Sequence, residues 1–267
     1  MLGYVCKYTP MELFEAMDTE ITRLEPSVTD FNHADTLMHA NICSYTKAVL
    51  EDVMEHDYEG VILTTCCDSI RRLYDTLKSQ FPDKFFFLLD IPRKFNDFAV
   101  TLYERQLKQM LTEYEAFSGK TLDLKRFVSM MQNKAALKKQ ENTRMSASAV
   151  SEKGNGQKLN IGIMGARCNN EIRQLLVDRG ANLLFDLTCT GLARDFSITE
   201  DQVLHSYAAA LLNQIPCMRM LKAANREHFL DGFTDRLDGI IYHTVKFCDS
   251  YSYEYADFRQ RLDLPIL

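Results

Sequence analysis

The sequence is poor in the features that send a chain into a membrane, out of the cell or onto a polyanion. No apolar run approaches the roughly twenty residues that cross a bilayer, which argues against a spanning helix. The first residues, MLGYVCKYTPMELF, lack the basic stretch, apolar core and small-residue cleavage site of a secretory signal, so the expected location is the cytoplasm. Positive charge is not in excess: 31 Lys and Arg stand against 37 Asp and Glu, for a net charge of -6, and nothing favours nucleic acid as a partner. The one basic stretch, Lys134, Lys138, Lys139 and Arg144, reads as a solvated helix face. Tryptophan is absent, and so is any Cys-x-x-Cys pair, which removes the usual signature of structural zinc.

What the sequence does have is cysteine, at 6, 43, 66, 67, 168, 189, 217 and 248. Thiols in the cytoplasm are kept reduced, so disulfides do not account for eight of them. Since they are scattered, a shared site has to be assembled by the fold. The remaining composition, 46% hydrophobic and 25% charged over 267 residues, is that of an ordinary globular protein with room for two modest domains.

Hydrophobic patterning predicts an α/β chain. Thr9-Pro10-Met11-Glu12 reads as a helix start, with Thr9 as N-cap and Glu12 reaching back, and Leu13, Met17, Ile21 and Leu24 continue as a helical stripe to Pro26. Cys43 falls at or just before the N-terminus of a helix over Tyr45 to Met54. Gly60 to Thr65 is a β-branched run of the kind found in buried parallel strands, and it delivers Cys66, Cys67 and Asp68 to the strand's carboxyl end. A helix to about Lys78 and a strand over Phe85 to Leu89 follow. From Asn96 to about Asn142 the pattern is helical with a break at Ser118-Gly119-Lys120, and the Ser/Gly/Lys stretch TRMSASAVSEKGNGQK is the best linker candidate. The cycle then restarts with a strand over Leu159 to Met164, a helix from about Glu171 to Arg179 and a strand over Asn182 to Asp186. The expected division is a first α/β lobe over 1–95, a helical connector and linker over 96–157, and a second α/β lobe over 158–267. Gly162-Ile163-Met164-Gly165 has part of a dinucleotide-binding turn but not its full fingerprint, so tight strand-to-helix packing is the preferred reading.

One pattern occurs twice. Gly60-Val61-Ile62-Leu63 precedes Cys67-Asp68-Ser69, and Gly239-Ile240-Ile241-Tyr242 precedes Cys248-Asp249-Ser250. Each copy is a glycine-led apolar strand, a polar turn, and Cys-Asp-Ser opening a helix. After the second helix Leu264-Pro265-Ile266-Leu267 begins what should be a further strand, so the chain reads as cut short. Thiols at the carboxyl ends of parallel strands face the crevice where such sheets hold ligands, and adjacent helix N-termini favour the thiolate that binds metal. Cysteine is also a common buried small hydrophobe. The repeat tips the balance to a metal site, and soft thiolates favour iron–sulfur over calcium, magnesium or manganese.

In GYVCKYTPMEL (3–13), ADTLMHANICSYTKAVLE (34–51), EGVILTTCCDSIRRLYD (59–75), LLDIPRK (88–94), DLTCTGLARDF (186–196), IPCM (215–218) and DGIIYHTVKFCDSYSYEY (238–255), taken in order, the chain resembles the D-component subunits of 2-hydroxyacyl-CoA dehydratases and the related benzoyl-CoA reductase subunits. The resemblance implies two Rossmann-like lobes with parallel sheets joined by a helical segment, and a [4Fe-4S] cluster between them held by three cysteines. It further implies a homologous partner subunit or a homodimer, an ATP-hydrolysing activator that supplies one low-potential electron, and an acyl-CoA substrate. Carried over residue by residue, the cluster ligands fall on Cys43, Cys67 and Cys248; Cys66 is an extra thiol beside Cys67, and the Cys-Asp-Ser register favours Cys67. Cys6, Cys189 and Cys217 also occupy recurrent positions, while Cys168 is incidental. Six such cysteines would suffice for the double-cubane [8Fe-9S] cluster of a related branch that reduces small molecules; the reading adopted is one cubane. Where the family has Ala-Gly followed by proline, this chain has Ala16-Met17-Asp18 and Glu20, and it ends before the family's last strand and helix.

The implied reaction is a lyase step. One electron added to the thioester carbonyl gives a ketyl radical that expels the α-hydroxyl and acidifies the β-position. No general base is named, since Glu12, Glu171 and Glu254 read as a cap and helix-surface residues.

Overall fold

The computed structural model describes residues 1–28, 30–148, 158–168, 170–189, 198–221 and 224–267. Two parallel sheets form two lobes, as the patterning predicts. In the first, the strands and helices run β1 (Leu2–Tyr4), α1 (Met11–Ala16), β2 (Ile21–Arg23), α2 (Asn32–Leu37), α3 (Ser44–Glu55), β3 (Gly60–Thr64), α4 (Asp68–Gln80) and β4 (Phe85–Leu89). The sheet order is β2-β1-β3-β4. Every residue of β3 is buried, because helices cover both faces of the sheet, and its apolar run needs no polar alternation. Gly60 opens β3 where an added Cβ would lie 1.9 Å from the Phe85 carbonyl oxygen of the paired strand, so no larger residue fits that register.

The first thirty residues correct the expectation of one long helix. The helix ends at Ala16, with Pro10 rather than Thr9 in the cap position. Asp18 takes a left-handed backbone (φ 51°), the Thr19 amide turns back onto the Phe14 carbonyl at 3.0 Å, and Ile21–Arg23 emerges as a strand parallel to β1. Ile21 and Leu24 satisfied a helical spacing, but β-branched Ile21-Thr22 beside an unpaired edge of β1 is better placed in the sheet. β1 itself was not anticipated.

α5 (Asp97–Ser118) and α6 (Leu124–Ser148) follow β4, and α5 buries Tyr103, Leu107 and Tyr114 in the first lobe's core. Asn96 caps α5 by accepting from the Ala99 amide at 2.8 Å, and Gly119 (φ 71°) ends it, the expected break. The proposed linker lies largely at 149–157, outside the described residues, as do the side chains of Lys138, Lys139 and Arg144. Lys134 is exposed and paired with Glu15.

The second lobe comprises β5 (Asn160–Gly165), α7 (Asn170–Asp178), β6 (Asn182–Asp186), α8 (Val203–Leu212), α9 (Ala224–Asp231), a 3-10 turn (Thr234–Arg236), β7 (Gly239–His243) and α10 (Asp249–Arg261), with sheet order β6-β5-β7. α8 crosses back: Tyr207, Ala208 and Leu211 are buried in the first lobe's core beside Tyr103, Leu107 and Phe127. Pro265 and Leu267 pair with β7 through Ile240 and Tyr242 at 2.8–3.0 Å, adding a parallel segment where a matching strand was expected. Both glycines of the partial dinucleotide turn are explained by packing. A Cβ on Gly162 would strike the Phe185 ring at 2.3 Å, and Gly165 (φ 99°) lies against the His243 carbonyl. Among the described residues no helix is long and apolar enough to cross a membrane.

Candidate functional site

Parallel strands point their carboxyl ends the same way, so the loops after β1, β3, β6 and β7 converge. These loops carry Cys6, Cys66 with Cys67, Cys189 and Cys248. Cys43, before α3, and Cys217, after α8, complete the ring. Seven of the eight cysteines thus line one cleft of about 730 Å³. Cys168 does not; it faces an adjacent cavity of about 710 Å³ across Arg167 and Tyr45.

Cys43, Cys67 and Cys248 occupy the N-cap positions of α3, α4 and α10. None forms a conventional side-chain cap hydrogen bond, yet the amides of the first turn stabilise negative charge on sulfur. Donation from the Cys66 thiol, opposed by burial and aided by the Ile70 amide, holds Cys67 down to about 6. Cys43 is held to about 7 by donation from Cys248, against burial and with help from the Thr46 and Tyr45 amides. The donors move the other way: Cys66 and Cys248 are both raised, first by giving those hydrogen bonds and then by burial. Cys43 and Cys248, from opposite lobes, therefore touch, and so do Cys66 and Cys67.

The other three thiols form a second group. Burial pushes Cys6 up to about 11, with Cys217 and Cys189 close enough to add repulsion. Cys189 is likewise raised by burial, and its sulfur lies 2.7 Å from the Tyr251 hydroxyl. Burial thus favours the neutral thiol at Cys6 and Cys189.

Three cations face the sulfurs, and sequence reasoning missed all of them. Lys7 is buried, its Nζ donating to the Ile215 carbonyl. Arg167 stacks on the Tyr45 ring at 4.1 Å and bridges the lobes, donating to the Val5 and Leu24 carbonyls at 2.9 and 2.7 Å and to the Tyr45 hydroxyl at 2.6 Å. Arg219 donates to the Cys66 carbonyl. A signal was present: each cation sits within two residues of a cysteine, in Cys6-Lys7, Arg167-Cys168 and Cys217-Met218-Arg219.

Among the described residues no three His, Cys, Asp or Glu side chains converge tightly enough to chelate a single metal ion. An iron–sulfur cluster makes a different demand, since each thiolate binds its own iron and the ligands stand apart around the cluster. Thiol donors from both lobes, apolar filling by Val5, Ile70 and Val245, and nearby cations suit that demand. Glu12 and Glu254 are not at the cleft, and they are buried rather than the cap and helix-surface residue expected. Glu12 accepts from Tyr207 at 2.5 Å in the first core, while Glu254 accepts from Tyr242 and buried Arg226 in the second lobe.

The fold and cleft define an α/β protein of two parallel-sheet lobes with a thiol-walled cavity at their strand ends. The profile of one family, 2-hydroxyglutaryl-CoA dehydratase, D-component, matches residues 6–144 and again 127–267, and the chain belongs to that family. Comparison with curated proteins found no match.

Proposed function

We propose that this dehydratase-type chain carries an iron–sulfur centre in the cleft, with Cys43, Cys67 and Cys248 as ligands. The observation that carries the reading is the gathering of seven cysteines from both lobes around one cavity. Two of the three ligands have depressed thiol pKa values, so metal binding need displace few protons there. Cys66 instead keeps its proton and orients Cys67. When bound, a cluster held by three thiolates supplies a low-potential electron and one iron free of protein ligands, able to act as a Lewis acid. The chain's own part is to fix that geometry, exclude water with Val5, Ile70 and Val245, and offset negative charge with Lys7, Arg167 and Arg219. The activity that fits is elimination of water from a 2-hydroxyacyl-CoA, with a homologous subunit or second copy and an ATP-dependent activator as partners.

A second reading is favoured by the other thiol group. Cys6, Cys189 and Cys217 face the same cleft and give a second set of three, the number that a double-cubane [8Fe-9S] cluster and an ATP-dependent reductase or electron-transfer role require. Anaerobic reconstitution followed by iron and acid-labile sulfide counting separates the readings: about four iron per chain for one cubane and about eight for two. Cys189→Ser and Cys217→Ser should halve the larger number and leave the smaller unchanged. A folded chain that takes up no iron refutes both readings and leaves an accessory subunit.

A further inference from the structure

Charged side chains removed from water are normally paired. Arg219 is partly buried, and among the described residues it has no carboxylate partner; its one hydrogen bond there goes to the neutral Cys66 carbonyl. Its charge faces sulfur instead. Burial opposes the Arg219 charge, and Cys67, the sulfur held anionic, is first among the groups that oppose that cost, ahead of Cys66, Cys248 and Cys217. Those four sulfurs belong to both thiol groups, and Arg219 lines the one cleft that holds them all.

The other cations are differently employed. Lys7 is buried and its pKa is lowered, chiefly by that burial. A lysine carries a titratable charge, whereas a guanidinium keeps its proton throughout. Arg167 has its donors committed to two carbonyls and a tyrosine in bridging the lobes. Arg219 is thus the permanent positive charge directed at the thiols without another structural task of that size.

We infer that Arg219 is the positioning residue that sets the reduction potential of the centre bound in this cleft, by stabilising the more negative state after an electron arrives. The physics is Coulombic: a fixed cation in a poorly hydrated site favours added negative charge, and its removal makes reduction harder. The inference rests on the iron–sulfur reading above, and its test distinguishes the two.

The test compares wild type, Arg219→Gln and Arg219→Lys after anaerobic reconstitution with iron and sulfide, reading iron content and the midpoint potential by spectroelectrochemical titration. Glutamine keeps a donor for the Cys66 carbonyl but removes the charge; lysine keeps the charge. The expected result is full iron in all three. The reduction equilibrium of Arg219→Gln should fall about tenfold or more, which is 59 mV for a one-electron couple, with Arg219→Lys close to wild type. Loss of the cluster in Arg219→Gln alone, with Arg219→Lys normal, overturns the inference, since the charge then serves retention of the centre and not its potential. A normal potential in Arg219→Gln overturns the inference, as does an equal fall in both variants or loss of iron from both, since each then reports shape or a hydrogen bond. Absence of iron from the wild type overturns the iron–sulfur reading itself and this inference with it.

Discussion

The two copies of strand, Cys-Asp-Ser and helix differ most at the residue just before the cysteine. In the first copy it is Cys66, whose thiol donates to Cys67 and keeps that sulfur anionic. In the second it is Phe247, held at φ 63° in a turn closed by the Cys248 amide on the Val245 carbonyl at 2.9 Å. The apex carbonyl of that turn, on Lys246, accepts from the Ser44 amide at 3.1 Å, which clips Cys248 onto Cys43 at the start of α3. Cys248 then donates to Cys43. One motif is therefore used in two ways: the first copy carries its own supporting thiol, while the second lends its thiol to the opposite lobe. The strands follow suit, with β3 buried throughout and β7 leaving Ile241 and His243 half-buried.

The largest effect that can break this comparison is loss of the centre. Cys43→Ser, Cys67→Ser and Cys248→Ser should each abolish iron retention after anaerobic reconstitution, while Cys168→Ser should retain it. Full iron in any one of the three removes that residue from the ligand set.

Next in size is thiol reactivity in the metal-free chain. A depressed pKa means the thiolate persists down to lower pH, so alkylation of Cys67 should rise through about pH 6, whereas an ordinary thiol rises near 9. Near neutral pH Cys67 should react at least roughly tenfold faster than Cys248, whose pKa is raised. Peptide mapping after brief iodoacetamide exposure reads the ratio. Cys66→Ala should move the Cys67 midpoint upward, and an unmoved midpoint would show that the helix start alone sets it.

Packing comes third. Leu63→Ala, at a fully buried position of β3, should cost about 2–5 kcal/mol in urea unfolding. Ile241→Ala, half-buried in β7, should cost clearly less, on the order of 1–2 kcal/mol. Equal losses would show the second sheet to be as tightly built as the first.

The smallest effect is at the turn. A large residue at positive φ carries about 1–2 kcal/mol of backbone strain. Phe247→Gly should therefore stabilise the folded chain by about 0.5–1 kcal/mol after its greater unfolded-state entropy is counted, seen as a raised thermal midpoint. A drop instead would assign Phe247 a packing role despite its exposure.

Much of this was legible in the sequence. β3, β4, β6 and β7 announce themselves as apolar, β-branched or aromatic runs between turns, and the Cys67 and Cys248 positions follow from the repeat. Cys43 required the family resemblance, because no local pattern ties it to a residue of the other lobe. β1 and β2 were illegible for a physical reason: at three residues each, they are shorter than either periodicity needs to show itself, and pairing rather than propensity makes them strands. The hydrogen bond of Cys43 with Cys248 and the place of Arg219 on the thiol-lined cleft are likewise products of the tertiary fold. Only the sequence proximity of the cations to cysteines hinted at the latter.

The reach of Lys7 to the Ile215 carbonyl spans 208 positions, and the turn at Lys246 holds α3 over a similar distance. Contacts so far apart in sequence form late and slowly, because the closure entropy of the intervening chain must be met before they return any stability. In closure entropy the cleft is accordingly among the costliest parts of the fold to assemble. A cluster of the kind proposed would then enter a nearly closed chain, and a molecule whose cleft is still open exposes its thiols to oxidants.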